Sequence, residues 1–241
     1  MLRSLFLFTA LTMTAGFSSA MPNEDEAKFL RRDATPEQTT AYAKEKSIEA
    51  TNAFEDFIRL EEESIPNSML KNAKCVAVIP DLWKAGLIVG AQAGTGLVSC
   101  RTDAGWSQPA FFDVGGLSIG LQAGIQKVDL VMVFTHRDAV KKLTKPQFTL
   151  GGEASASIGP VGRYLEAGTD YKLDSEVYTY SKAKGFYLGL NLQGMKVLAN
   201  KKINGNVHST RTVSEILGNA GVSSMSELDG FVSTLNKYAE K

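Results

Sequence analysis

Glycine recurs through the middle of this chain in alternation with apolar side chains. Seventeen of its 22 glycines lie within residues 86–194, interleaved with β-branched and aromatic residues. Within residues 119–126, apolar side chains occupy one set of alternate positions, and glycine and glutamine occupy the other. A period of two is typical of a strand with one buried face. Because glycine inside strands marks bends, bulges and close backbone approach, the pattern predicts a tightly curved sheet.

Further strands are predicted on both sides of that stretch. Apolar runs indicate strands over residues 75–79 and 128–134, and Pro80 with Asp81 is expected to close the first. Small residues alternate over 148–158, and residues 176–181 and 185–193 have the pattern of a hairpin.

Helices are predicted at both ends of the glycine-rich region. Residues 36–63 place apolar side chains among charged ones without any glycine, and Pro66 ends the pattern. Near the other end, Leu228, Phe231, Val232 and Leu235 follow the i, i+3, i+4, i+7 spacing of a helix with one apolar face. We therefore expect an α+β protein: a curved antiparallel glycine-rich β-sandwich or barrel-like sheet flanked by N- and C-terminal helices.

The first 20 residues have the parts of a secretory signal peptide. Arg3 precedes an apolar run over 5–17, which is followed by the small residues 18–20. The run is shorter than the roughly 20 residues that a transmembrane helix needs. We expect residues 1–20 to be removed on export, 21–35 to be a polar tether and 36–241 to form the domain. The expected location is periplasmic or secreted, with peripheral attachment to a membrane.

Charge is unevenly distributed along the chain, although the formal net charge is zero. Residues 21–66 carry 12 acidic and 6 basic side chains, whereas residues 67–241 carry 14 acidic and 19 basic ones. The second part is far from the strong basicity that is typical of nucleic-acid binding. No nucleic-acid partner is expected.

Cys75 and Cys100 are the only two cysteines. Both fall in apparent strands, so the pair either forms one disulfide in an oxidising compartment or remains as two buried free thiols. No second pair of ligands accompanies them, which argues against a zinc site. Neither a metal nor any other cofactor is expected.

Seven motifs follow one another in a fixed order. They are IPDLWKAG (79–86), VGAQAGTG (89–96), GWSQPAFF (105–112), GLSIGLQAG (116–124), DLVMV (129–133), GPVGR (159–163) and YTYSKAKGFY (178–187). Together they resemble the SYLF domain, which occurs in eukaryotic endocytic adaptors beside SH3 or FYVE modules and as a lone domain in exported bacterial proteins. The resemblance extends over roughly residues 40–220.

The resemblance implies a non-enzymatic protein that binds phospholipid at a membrane surface, here in the bacterial envelope. Fungal relatives also bind actin, but an exported bacterial protein is not expected to meet actin. In eukaryotic relatives a basic, amphipathic N-terminal helix is implicated in membrane contact, whereas residues 36–63 are net acidic and would be repelled by an anionic surface. The alternative is a structural or protein-interaction module of the envelope without lipid specificity, and an envelope protein would then be the partner.

Five side chains are candidates for contact with anionic lipid, because cations next to exposed aromatic rings suit a membrane interface. Trp83 and Lys84 are expected in a loop after Pro80. Lys182 and Lys184 are expected in the turn of the hairpin, and Arg163 follows a glycine turn. The alternative for each cation is an ordinary solvated charge.

The segment GLSIG at 116–120 matches the G-x-S-x-G pattern of a nucleophilic serine, Ser118. That motif works only at a sharp turn between a strand and a helix. Here the residues after Ser118 continue to alternate as a strand, so no catalytic residue is predicted.

Overall fold

The strands pair into one curled sheet in the part of the chain that the computed structural model describes. That part comprises residues 34–59, 64–86, 89–119, 124–160, 174–183, 186–188, 192, 194–208 and 212–239. The predicted signal peptide and most of the tether lie outside it, as do Arg163 and Lys184. The strands are β1 (Cys75–Gly86), β2 (Val89–Thr102), β3 (Gly105–Trp106), β4 (Ala110–Ile119), β5 (Gly124–Phe134), β6 (Gln147–Thr149), β7 (Ala156–Ile158), β8 (Val177–Ala183), β9 (Phe186–Leu188) and β10 (Lys196–Ala199).

The strand order is β6-β10-β4-β2-β1-β5-β8-β7, with β3 paired to β2 and β9 paired to β8. Neighbouring strands run antiparallel except β7 and β8, which are parallel. Helices flank the sheet in sequence: α1 (Pro36–Arg59), α2 (Asn67–Asn72), α3 (Arg137–Leu143), α4 (Lys201–Val207), α5 (Val213–Gly218) and α6 (Asp229–Ala239). The α+β prediction, with a curved sheet between N- and C-terminal helices, is confirmed.

The short connection between β6 and β7 requires the sheet to curl. These strands occupy opposite edges of the sheet, yet Thr149 and Ala156 are only seven positions apart in the chain. Seven residues span at most about 24 Å, whereas the edges of a flat eight-strand sheet would be about 34 Å apart. The curl also corrects the prediction of one continuous strand over 148–158, because the segment leaves one edge and joins the other.

The two faces of the sheet bury different partners. One face, here called the core face, carries the main apolar cluster, which includes Cys75, Ala77, Ile79 and Leu82 of β1. The opposite face, here called the helix face, is covered by α1, which packs against β1, α4 and α6. The covering side of α1 consists of fully buried alanine and phenylalanine side chains, namely Ala43, Ala50, Phe54 and Phe57.

β1 does not end at Pro80, as the sequence predicts, but continues to Gly86 through a bulge. Ile79 pairs with Leu130 and Leu82 pairs with Val128, so Pro80 and Asp81 together face one residue of β5. Asp81 has φ of 52°. Its N–H donates to Oδ1 of Asp129 at 3.0 Å. A bulge tolerates proline because it leaves ladder positions unpaired.

The bulge changes which side chains of β1 point into the core. Without the extra residue, strict alternation from Ile79 would place Asp81 and Trp83 on the core face. With it, Leu82 and Lys84 take those positions, and Trp83 lies on the helix face. Trp83 and Lys84 are therefore strand residues with opposite orientations, and the predicted loop is wrong.

Residues 119–126 are also divided differently from the prediction. β4 ends at Ile119 and β5 begins at Gly124. In the sheet, β2 and β1 lie between them. Alternation alone could not reveal this change of strand, because both strands continue the same apolar and polar pattern. The predicted hairpin near residue 180 is confirmed by the antiparallel pairing of β8 with β9.

Candidate functional site at the tip of the sheet

Four strands meet at one end of the sheet, here called the tip, where β1 and β4 end and β2 and β5 begin. Gly86 pairs with both Gly90 and Gly124, and Gly90 pairs with Ser118. Alternation places these four positions on the core face. Three of these four described positions are glycines and carry no side chain.

The next row inward is polar. Lys84 of β1 lies between Gln92 of β2 and Gln126 of β5, and Gln92 in turn pairs with Gly116 of β4. Lys84 is 6% exposed and Gln92 only 2%. Beyond this row the core face becomes apolar, with Leu82 and Val128 both buried. The polar row therefore lies between the apolar core and the row that contains the glycines.

The buried side-chain amide of this row lacks partners. Neither Nε2 nor Oε1 of Gln92 has a hydrogen-bond partner. Among the described residues, Lys84 forms no hydrogen bond or ion pair, and burial alone lowers the pKa of its ammonium group. An unmade hydrogen bond of a buried group costs about 1–3 kcal/mol. Native proteins leave few such groups, so the Gln92 amide is unusual.

The helix face of the tip is apolar instead of polar. Leu117, Ala91 and Ala85 form one row across β4, β2 and β1. The Leu117 side chain is 72% exposed. Single apolar side chains on a surface are normal, whereas contiguous exposed apolar patches mark interaction sites. This row faces away from the core.

Trp83 occupies the next row of the helix face, behind the apolar one. It pairs with Ala93 on β2 and with Lys127 on β5. Trp83 is half-buried and Ala93 is exposed. Nζ of Lys127 lies 3.2 Å from Oδ2 of Asp81 at the bulge. From the tip inward, the helix face therefore presents leucine and then a row that contains both tryptophan and lysine.

The predicted cation cluster is not assembled as the sequence suggested. Lys182 is a β8 residue and does not lie in the turn. Its Nζ is 3.0 Å from Oδ2 of Asp56 on α1, and its side chain is 14% exposed. It is two strands away from β1, whereas Lys84 points into the opposite face. Of the predicted candidates that the structure describes, Trp83 alone contributes to the outer surface of the tip.

Sequence reasoning missed the glutamines and Leu117. The available signal was the alternation in residues 90–94, where glycine, glutamine and glycine occupy one face. A glutamine between two glycines on a buried face has no polar side chain beside it on its own strand. The sequence could not show that this face of the strand is the buried one.

Cys75 and Cys100 lie at the other end of the same two strands. They are directly opposite in the β1–β2 ladder, and their sulfur atoms are bonded. The disulfide therefore joins the central strands far along the sheet from the tip, where it cannot contact the candidate site.

No catalytic arrangement is found around Ser118 in the described part of the chain. Ser118 and the following Ile119 are both within β4, so no turn into a helix follows the serine directly. His208 is buried, and its Nε2 lies 3.0 Å from the carbonyl oxygen of Pro109. His136 is exposed and contacts Thr135. Among the described residues, no cluster of three or more His, Cys, Asp or Glu side chains is placed to hold a metal.

No helix in the described ranges is long and apolar enough to cross a membrane.

Comparison with known proteins identifies relatives for the glycine-rich domain. SH3 domain-containing YSC84-like protein 1 of Xenopus laevis is 33% identical over 168 residues, which are 67% of this chain and 50% of that protein. Its Rattus norvegicus counterpart is 34% identical over 145 residues, covering 59% of this chain and 42% of that protein. LAS seventeen-binding protein 3 of Saccharomyces cerevisiae is 35% identical over 147 residues, covering 59% and 32%. The chain thus spans half or less of the length of these relatives.

A family model matches residues 115–238, about half of the chain, and is described as Las17-binding protein actin regulator, Ysc84. The match begins in β4 and extends into α6. It therefore includes the tip residues of β4 and β5 and the C-terminal helices. The chain therefore belongs to the Ysc84 family, that of the SYLF domain which its motifs resemble.

Proposed function

We propose that this protein binds phospholipid membranes peripherally, through the helix face of the tip, and performs no catalysis. The observation that carries the proposal is the exposed Leu117 side chain within the apolar row of the tip. Burying one leucine contributes about 1.5–3 kcal/mol. A contact of this size is reversible, which suits a protein that associates with a membrane surface and does not span it.

The order of side chains behind Leu117 supports a membrane contact. Trp83 lies one row further from the tip, and Lys127 lies beside it on β5. Tryptophan favours the interface between lipid tails and water. Lysine there attracts anionic head groups. Apolar Leu117 at the tip, with Trp83 and Lys127 together in the row behind it, matches the order of lipid tails and head groups at a membrane surface.

The N-terminal helix α1 does not compete for this role. Its apolar residues Ala50, Phe54 and Phe57 are fully buried against the rest of the protein. A helix that binds a membrane needs an apolar face free for lipid. In α1 that face is already used in the core, and the remaining surface is rich in acidic residues. The sheet tip therefore replaces the helix as the proposed contact.

Export to the bacterial envelope is part of the proposal. It rests on the signal-peptide pattern of residues 1–20. The bonded pair Cys75 and Cys100 supports it, since disulfides persist mainly in oxidising compartments. In that location the available surface is the outer leaflet of an inner membrane or the inner leaflet of an outer one.

A protein partner is the second candidate, because the family model carries the description Las17-binding protein actin regulator. An exposed apolar row could equally dock on a protein. We therefore propose an envelope protein as the alternative partner, with the same Leu117 surface as its contact. Binding to protein-free vesicles distinguishes the two.

Vesicle flotation with the purified protein tests the proposal. One set of vesicles contains phosphatidylcholine alone, and the other contains equal parts of phosphatidylcholine and phosphatidylglycerol. The variant is Leu117→Glu, and the matched control is Ile48→Glu, which alters another exposed large apolar side chain, on α1, that is 51% exposed. We expect Leu117→Glu to weaken binding at least about tenfold and Ile48→Glu to leave it unchanged. Equal binding by all three proteins, or no flotation of the wild type, contradicts the proposal.

Tryptophan fluorescence provides a second readout. The chain has two tryptophans, and Trp106 is buried at 3% exposure. In a Trp106→Phe variant, Trp83 alone reports. A blue shift on adding the mixed vesicles is expected, because the half-exposed indole leaves water. If the protein binds the vesicles and its emission spectrum does not change, the membrane contact lies elsewhere.

A further inference from the structure

Lys196 lies in the same row of the helix face as Trp83, three strands away. It is the first residue of β10 and pairs with Gly115 of β4. Gly115 pairs with Ala93 of β2, and Ala93 pairs with Trp83 of β1. Both Lys196 and Ala93 are exposed. Lys196 is therefore on the accessible surface beside the contact proposed above.

The two lysines of this row differ in the charge that they present. At the other end of the row, Nζ of Lys127 lies 3.2 Å from Oδ2 of Asp81, so a carboxylate offsets its charge. Within the described ranges, the side chain of Lys196 has no hydrogen bond or ion pair. Asp113, in the next row of the same face, is bound by neutral side chains instead. Lys196 therefore gives the row a net positive charge.

We infer that Lys196 is the residue that gives the tip its preference for anionic over zwitterionic phospholipid. The inference rests on the proposed membrane contact and names the lipid class that this contact takes. A lysine near an anionic membrane surface is attracted to it, whereas a zwitterionic surface provides no such attraction. Leu117 and Trp83 suit either surface, because their contribution comes from burial in the tails and at the interface.

The position of Lys196 along its strand suits contact with head groups. On β4, Leu117 is two residues nearer to the tip than Gly115, the partner of Lys196. Two residues of a strand extend about 7 Å. When Leu117 contacts the lipid tails, Lys196 is therefore at the level of the head groups. That separation is also within the Debye length of about 8 Å at physiological ionic strength, so salt does not remove the attraction.

The arrangement favours recognition of surface charge over recognition of one head-group structure. The sheet curls around the core face, because the apolar cluster on that face includes both Phe148 of β6 and Val177 of β8. The helix face is therefore convex, and its side chains diverge. Lys196 and Lys127 are four strand spacings apart, about 19 Å along the sheet. Lysines placed in this way contact different lipids, so binding should follow the density of negative charge.

Flotation with vesicles of graded charge tests the inference. Phosphatidylcholine vesicles contain either one tenth or one half of an anionic lipid, which is phosphatidylglycerol in one set and phosphatidylserine in the other. We expect Lys196→Gln to weaken binding to the half-anionic vesicles about fivefold, and to weaken binding to the one-tenth vesicles less. Both anionic lipids should give the same result. An equal loss at both compositions, no loss at either, or binding of the wild type to one anionic lipid alone overturns the inference.

Two matched variants separate position from total charge. Lys71→Gln removes the same charge from an exposed lysine of α2, which precedes the start of β1 at Cys75 and so lies away from the tip. Lys196→Arg keeps the charge in place. We expect both variants to bind as the wild type does, and a loss with Lys71→Gln equal to that with Lys196→Gln contradicts the assignment. Unchanged binding by Leu117→Glu contradicts the proposed function, whereas unchanged binding by Lys196→Gln contradicts this inference alone.

Discussion

Lys84 and Gln92 face each other across the two central strands with both side chains buried. Lys84 reaches this position because of the bulge at Asp81, which interrupts the alternation of β1. One extra residue moves every later side chain of the strand to the other face. The polar interior of the tip and the outward position of Trp83 therefore have one common cause.

The backbone of Asp81 should be a measurable source of strain. Its φ of 52° is in the left-handed region, which glycine adopts freely and β-branched residues strongly disfavour. We expect Asp81→Val to be less stable than Asp81→Gly by about 1–2 kcal/mol. Both variants lose the same carboxylate, so their difference isolates the backbone effect. Urea denaturation measures it, and equal stability of the two variants would mean that the bulge does not form at this residue.

Gly96 should be intolerant of any side chain. A Cβ at this position would overlap the carbonyl oxygen of Val78 and lie 2.9 Å from Cα of Ile79, immediately before the bulge. Gly115→Ala is the matched control, because the nearest atom to its Cβ is the carbonyl oxygen of Gln92 at 3.6 Å. We expect Gly96→Ala to cost about 1–3 kcal/mol by overpacking and Gly115→Ala to cost clearly less. Similar unfolding free energies for both would contradict the close approach of β1 and β2.

The disulfide should contribute substantially to stability. Cys75 and Cys100 are separated by 25 residues. Closing a loop of this size stabilises the folded state by about 3–4 kcal/mol in the chain-entropy treatment. The double variant Cys75→Ala, Cys100→Ala should lose about this amount in urea denaturation. Dithiothreitol should lower the stability of the wild type but leave the double variant unaffected, and a wild type insensitive to reduction under unfolding conditions would exclude the bond.

Asp113 should make stability fall as the pH rises. Burial raises the pKa of its carboxyl group above the ordinary 3.8, although Thr95 and Asn200 donate hydrogen bonds that oppose the shift. The folded protein therefore holds this proton more tightly than the unfolded chain. Its contribution to folding is full below pH 3.8 and is lost as the pH rises through the folded-state pKa.

The measurement is the difference in unfolding free energy between wild type and Asp113→Asn from pH 3 to pH 7. The substitution changes the hydrogen bonds with Asn200 at every pH, so only the slope of the difference reports the titration. We expect the wild type to lose stability relative to the variant above pH 3.8. A difference that does not vary with pH would show that the carboxyl group is solvated.

The presence of a curved glycine-rich sheet could be derived from the sequence. The arrangement of side chains at its tip could not. The alternation over residues 119–126 predicted a strand, and the described residues at both ends of this stretch are in strands, β4 and β5. The same alternation could not show that β4 ends at Ile119, because a change of strand leaves a period of two intact. Likewise, Pro80 and Asp81 indicated the end of a strand, whereas the structure has a bulge there and the strand continues. The choice between a strand end and a bulge depends on whether β5 offers a partner, here Asp129, across the ladder.

The sequence by itself determined the class of the fold, the two-residue period of the strands and the helices at each end, because these follow from local side-chain patterns and backbone preferences. Tertiary structure alone decided which face of the tip is inside. Lys84, Gln92 and Leu117 are separated in the chain by 8 and 25 positions, and their exposure depends on how four strands align at their ends. That alignment is set by the bulge and by the curl of the sheet, both of which arise only from long-range pairing.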